Sequence, residues 1–242
     1  MNKAKKIMMF AVCAVLLVCI SVGATLAYLT DTEAVTNTFT VGQVDISLAE
    51  TPLPGGSDKG NSYHLIPGQS YTKDPTITVN TGSEDCYVVA KVVVTGAANL
   101  DQLIGYTESD GKSYIGFGEI VSGGIFTANS GLTYKTDITA GDKTISGWEN
   151  TEVVLTQEKA TNGDYVLYVY YKNAKNAGST LKLFETIKVP DKWNNAEMDL
   201  IGDNMKINVS AYAVQKTGFD NVFAAFASGD AQGWVSYPAT NP

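Results

Sequence analysis

A single imidazole, a single thiol outside the first 27 residues, no guanidinium and 25 carboxylates are the chemical inventory of this 242-residue chain. A helical zinc-protease site needs two His one turn apart with a Glu beside them. His64, alone in Ser62-Tyr63-His64-Leu65, cannot supply it. A Ser-His-Asp triad would have to use the same His64, and no Gly-x-Ser-x-Gly elbow is present. Acidic pairs hydrolyse glycosides, but a chain this rich in carboxylates offers pairs everywhere, so they carry no weight. Glu108-Ser109-Asp110-Gly111 and Asn162-Gly163-Asp164 hold calcium-type ligands without the periodic spacing of an EF-hand. They read as solvated turns. Asn208-Val209-Ser210 matches a glycosylation sequon, yet it falls in a strand pattern behind a bacterial-looking export signal. All 17 basic residues are Lys and the net charge is −8, the opposite sign to the surface that nucleic acids require. This inventory predicts no catalytic residue, no metal ligand set, no cofactor and no nucleic-acid partner.

The elements that would position any site begin after an address. Lys3, Lys5 and Lys6 precede an apolar run from Ile7 to Ile20, and Ser21 to Ala27 ends in small residues. That is the layout of a secretory signal peptide over residues 1–27, cleaved between Ala27 and Tyr28. The competing reading is an uncleaved anchor, because Ile7 to Leu29 is long enough to cross a bilayer. With Cys13 and Cys19 removed, only Cys86 remains, so no internal disulfide can form. Cys86 shares strand parity with Val88, Ala90, Val92 and Val94 and reads as a small buried hydrophobe.

The rest alternates between strands and turns. Thr38 to Leu48 reads as a strand, with Val44, Ile46 and Leu48 on its buried face and Gly42 as a candidate bulge. Thr51 to Gly60 reads as a loop, Pro67-Gly68 and Thr81-Gly82-Ser83 as turns, and Asp74 to Asn80 as a strand. Val88 to Val94, apolar on both faces, suits a central strand. Asn99 to Gly105 suits a helical turn, and about 97–162 reads as a loop-rich excursion. Asp164–Tyr171 and Leu181–Val189 are predicted to pair with each other. Met205 to Gln215 reads as a last strand, and Phe219 to Ala227 as a helix capped near Asp220 and stopped at Gly229. The expectation is an all-β, jelly-roll-like β-sandwich of about eight strands over 42–242, with loop insertions and a short C-terminal helix.

Four segments resemble a family. Gly23 to Asp31, with Asn37-Thr38-Phe39-Thr40-Val41-Gly42-Gln43-Val44-Asp45-Ile46, resembles the start of the TasA/camelysin proteins, whose signals are cut by a dedicated SipW-type peptidase. Pro67 to Pro75 with Val79 to Ser83 and Tyr87-Val88, and Ile207 to Gln215 with Gly218-Phe219-Asp220, resemble later strands and the C-terminal helix. The resemblance implies a secreted protein of a Gram-positive biofilm matrix or cell surface that builds fibres. Its partners would be copies of itself, head to tail, the signal peptidase and an accessory matrix protein, with membrane contact only during export. It also implies a donor strand over 28–41, with Leu29, Val35, Phe39 and Val41 facing a neighbour's core. Some relatives are described as metal-dependent proteases, an activity not carried over without a zinc ligand set.

Two other readings stand beside this. Residues 28–37 suit a frayed terminus, and the aromatic residues Tyr106, Tyr114 and Trp148 suit a monomeric, glycan-binding sandwich. Cleavage removes three Lys and no acid, leaving 14 Lys against 25 carboxylates and a net charge of −11. The secreted protein is expected to begin at Tyr28 by N-terminal mass spectrometry. Recovery of intact Met1 only, in membranes, would favour the anchor.

Overall fold

The computed structural model describes residues 2–29, 42–58, 60–96, 99–202 and 205–227, with the backbone alone over 17–29. The chain divides into two compact units, Met1–Val41 and Gly42–Pro242. In the first, α1 (Lys3–Leu29) is one continuous helix. Its side chains Ile7, Met8, Phe10, Val12, Val15 and Leu16 are exposed. Among the described residues, no helix is long and apolar enough to cross a membrane.

In the second unit, β1 (Ile46–Ala49), β2 (Ser70–Thr72) and β3 (Thr76–Val79) precede the long β4 (Cys86–Thr95). Then come α2 (Leu100–Ile104), β5 (Gly105–Thr107), β6 (Ser113–Ile115), α3 (Phe117–Ile120) and β7 (Val121–Ser122). β8 (Thr133–Ala140), β9 (Lys143–Glu149), β10 (Val153–Lys159) and β11 (Tyr165–Tyr171) follow. β12 (Thr180–Lys182), β13 (Thr186–Lys188), α4 (Asn195–Ile201), β14 (Lys206–Gln215) and α5 (Val222–Ala227) complete the described chain.

One six-stranded sheet runs β14-β4-β11-β10-β9-β8. Two three-stranded sheets, β1-β3-β12 and β2-β13-β7, supply the opposing layer, and a small β5-β6 hairpin stands apart. The fold is an all-β sandwich. Its main core joins Val88, Ala90 and Val92 of β4 and Leu167 and Val169 of β11 to Ile77 and Val79 of β3 and Leu181 of β12. β4 and β11 are apolar on both faces because the outer face also has a cover. Val89, Tyr168 and Tyr170 pack there with Val222 and Phe226 of α5.

Most of the strand reading holds. Val44, Ile46 and Leu48 pack on the core while Gln43, Asp45 and Ser47 are exposed. The turn at Gly82 has the positive φ, 89°, that glycine tolerates best. Residues 38–41 of that first strand, and the stop at Gly229, lie outside the described residues.

Three expectations are corrected. Residues 97–162 are not mainly loop, because β8, β9 and β10 form half of the large sheet. Turn-forming Gly, Ser and Thr at the strand ends hid them, and Gly147 sits inside β9 because a Cβ there would lie 2.4 Å from the Leu155 carbonyl of β10. Second, Asp164–Tyr171 and Leu181–Val189 do not pair. β11 is fully used by β10 and β4, while β12 pairs with β3 and β13 with β2 and β7. The connection between them crosses layers and is not a hairpin. Third, Gly42 is no bulge, since the strand begins only at Ile46. At α5, Asn221 provides the cap in place of Asp220, accepting from the Ala224 N–H at 2.9 Å. The unforeseen α4 carries a capping box, with Asn194 and Glu197 bonding reciprocally.

Gln157, on β10 and 5% exposed, ties the insertion to the sheet. Its Oε1 accepts from the Ile115 N–H (2.6 Å) and its Nε2 donates to the Ile115 carbonyl (3.1 Å), replacing a missing strand partner of β6. Gln157→Leu strands both groups and is expected to cost about 2–4 kcal/mol in denaturant unfolding. A loss below about 0.5 kcal/mol would contradict this role.

Candidate functional site

A sandwich has sheet edges, and its edges decide what it pairs with. The two edges of the large sheet differ. β8 carries a register break between Lys135 and Ile138, and Lys135 and Asp137 are exposed there. Bulges and charges of this kind discourage pairing. β14 pairs with β4 over ten consecutive residues, from Lys206↔Thr95 to Gln215↔Cys86, with no break and no proline. Its edge is straight. β1 is likewise an edge of the opposing sheet, and β1 and β14 approach within 8 Å between Cα atoms.

Along this seam the core is incompletely covered. On β4, the core-facing Cys86, Val88, Ala90, Val92 and Val94 are at most 2% exposed, as are Ile77 and Val79 on β3. One strand outward, Ile207, Val209, Ala211 and Ala213 of β14 and Ile46 and Leu48 of β1 are only half-buried, although they face the same core. Burial therefore falls off by one strand on both layers at the same side.

The seam opens into a cleft of about 540 Å³. Its apolar lining includes Leu48, Leu65, Ile187, Ile207 and Val209, and its polar lining includes an ion pair. Lys73 Nζ lies 3.1 and 3.0 Å from Glu50 Oε1 and Oε2, the two side chains being 8% and 10% exposed. Thr51 pins the loop over the cleft by donating twice to Asp74 at 2.7 Å, and Asn61 holds it by bonding Leu53 and Thr51. Tyr63 donates to the Thr72 carbonyl at 2.9 Å. Burial, then the nearby Glu50 charge, pushes its phenol up to about 12, so it stays neutral. Glu50 is held by Lys73, and Tyr63 stays neutral. The cleft offers a trough of mixed polar and apolar lining beside a strand edge.

The other candidate residues are used structurally. Tyr114, Trp148 and Tyr134 come together edge to face, Tyr114 meeting Trp148 at 5.0 Å and 83°, while the exposed Tyr106 lies tilted at 6.4 Å from Tyr114. Tyr114 is 3% exposed and donates to Asp110 at 2.6 Å. The rings of Tyr114, Tyr134 and Trp148 hold the β5-β6 hairpin to β8 and β9. Burial pushes the Cys86 thiol up to about 11, leaving it inert. His64 is exposed. Among the described residues, no three His, Cys, Asp or Glu are grouped to hold a metal. The single exposed imidazole and scattered carboxylates do not fit a catalytic zinc. Asp110 and Asn162 bond within their own turns. Of the predicted junction and donor residues, Ala27, Tyr28 and Leu29 lie in α1, while Val35, Phe39 and Val41 lie outside the described residues.

Glu50 and Lys73 went unseen in the sequence, where nothing distinguishes them from surface charges. Only the pairing of β1 with β3 brings them together.

The architecture is that of an all-β sandwich with one uncovered seam. In a comparison with known proteins, the camelysin metallo-endopeptidase family model matches residues 2–110, in keeping with the TasA/camelysin resemblance. No curated protein and no solved structure matches the chain.

Breaking a buried ion pair on one side costs more than replacing both partners. Lys73→Met alone is expected to lower stability by about 3 kcal/mol, and adding Glu50→Leu to recover most of it, in thermal or denaturant unfolding. Equal stability of the single variant and the native chain would contradict the burial of the pair.

Proposed function

We propose that this is a secreted structural protein that assembles into fibres of the biofilm matrix or cell surface, each copy lending residues 28–41 to the seam of the next. The observation that carries this reading is the half-buried, core-facing row on β1 and β14 beside a straight, unprotected edge. The occupant is chosen by length and pattern. Fourteen extended residues reach about 45 Å, more than the roughly 33 Å of a ten-residue strand, and Leu29, Val35, Phe39 and Val41 share one parity. Main-chain hydrogen bonds give such a strand affinity, and alternate side chains fill the trough. A head-to-tail contact of this kind grows a filament. Removal of residues 1–27 by the signal peptidase frees the donor end, and an accessory matrix protein is a further partner.

The description of the matched family supports a second reading, an endopeptidase. The donor set argues against it, and purified protein is expected not to cleave casein. Chelator-sensitive cleavage would contradict the structural reading.

Protein beginning at Tyr28 is expected to form filaments under the electron microscope, and protein lacking 28–41 to remain monomeric. Filaments from both, or from neither, would overturn the proposal. Assembly should also respond to charge, because subunits at −11 repel one another. Light scattering is expected to rise as salt is added or pH falls toward about 4. The fold should persist there. Hydrogen bonds from Lys135 and Lys172 hold the Glu149 carboxyl below its ordinary range. A lowered pKa gives stability that is present above the unfolded value and lost only as pH falls through the lower, folded one.

A further inference from the structure

An edge strand divides its backbone between two jobs, because in an antiparallel ladder alternate residues point both N–H and C=O to the same side. On β14 the division is fixed residue by residue. Lys216 N donates to the Asp85 carbonyl at 2.8 Å, one step beyond the Gln215↔Cys86 pair of the ladder. Cys86 is turned the other way, exchanging backbone bonds of 2.9 and 2.7 Å with Lys175. By alternation, Asn208, Ser210, Tyr212 and Val214 spend their backbone groups on β4. Ile207, Val209, Ala211 and Ala213 turn theirs to the free edge, where among the described residues no hydrogen bond reaches them.

The residues that turn their backbone to the edge are also those whose side chains face the core and stay half-buried. Groups that hold the subunit together and groups left to bind are thus separate along one strand. Ile207 and Val209 border the cleft, whose lining also carries Asp58, Asn61, Lys206 and Asn208. Ala211 and Ala213 lie beyond that lining, so there the backbone is the main polar feature on offer. A row of backbone groups is matched by another row, which makes the partner an extended peptide and not a small molecule.

Resting on the fibre reading above, we infer that β14 is the accepting edge, taking an extended strand of a second copy through the backbone N–H and C=O groups of Ile207, Val209, Ala211 and Ala213. The alternate residues of β14 serve only to hold it to β4.

Proline tests this division, because it removes one N–H and puts its ring in the same place. In the chain from Tyr28 onward, Ala211→Pro takes a group from the free edge and Ser210→Pro takes one from the ladder. Ala211→Pro is expected to keep the thermal midpoint of the subunit within about 3 °C of native and to slow filament growth at least about tenfold. Ser210→Pro is expected to lower the midpoint by about 6 °C or more. Equal midpoints for the two variants would overturn the assignment of sides, and native growth of Ala211→Pro would overturn the accepting edge. A mixing experiment adds a second readout. Ala211→Pro still carries 28–41, so it joins a filament end and then accepts no further copy. Added as a small fraction of the native chain, it is expected to shorten filaments severalfold, whereas the same variant lacking 28–41 is expected to leave their length unchanged. Equal shortening by both, or by neither, would overturn the inference. Native chain that forms no filaments, or forms them without 28–41, would overturn the fibre reading itself. Filaments that need 28–41 but grow normally from Ala211→Pro would leave that reading standing and remove β14 as its acceptor.

Discussion

Everything distinctive here follows from one constraint: a β-sheet edge that leaves core-facing side chains half in water. A sandwich gains its stability by burying alternate residues of both layers. On β4, β11 and β3 that burial is complete. At β14 and β1 it stops one strand short on both layers, and the cleft lies along that line. At about 25 cal/mol per Å² of apolar surface, covering such a row is worth several kcal/mol.

The two edges of the large sheet show how the fold distinguishes wanted from unwanted pairing. β8 is broken by a register shift and carries exposed charge. β14 is ten residues long and regular. Its outward-facing Lys206, Asn208 and Ser210 keep it soluble without blocking its backbone. The asymmetry leaves β14 the edge open to pairing, and the net negative charge opposes indiscriminate contact between copies.

The alternating strands were legible in the sequence because burial on one face writes a period of two, as in Val44, Ile46 and Leu48 or Ile207, Val209 and Ala211. The double-faced runs of β4 and β11 were legible as central strands for the same reason. Their partners were not. Local pattern put Asp164–Tyr171 beside Leu181–Val189, whereas the sheet places β11 between β10, the strand just before it, and β4, far away in the chain. β8 to β10 were obscured by their Gly, Ser and Thr, and α4 by its position in a stretch without strong periodicity. The seam was not legible, because it depends on two edges that converge only after folding, and on a Lys and a Glu that composition cannot tell from surface charge.

The most direct measurement is amide hydrogen exchange along β14 in dispersed subunits and in assembled material. The account predicts that Lys206–Gln215 exchanges quickly at its outer edge in the subunit and becomes strongly protected on assembly, while the edge of β8 is unchanged. Equal exchange of β14 in the two states, or protection that appears on β8 instead, would contradict it.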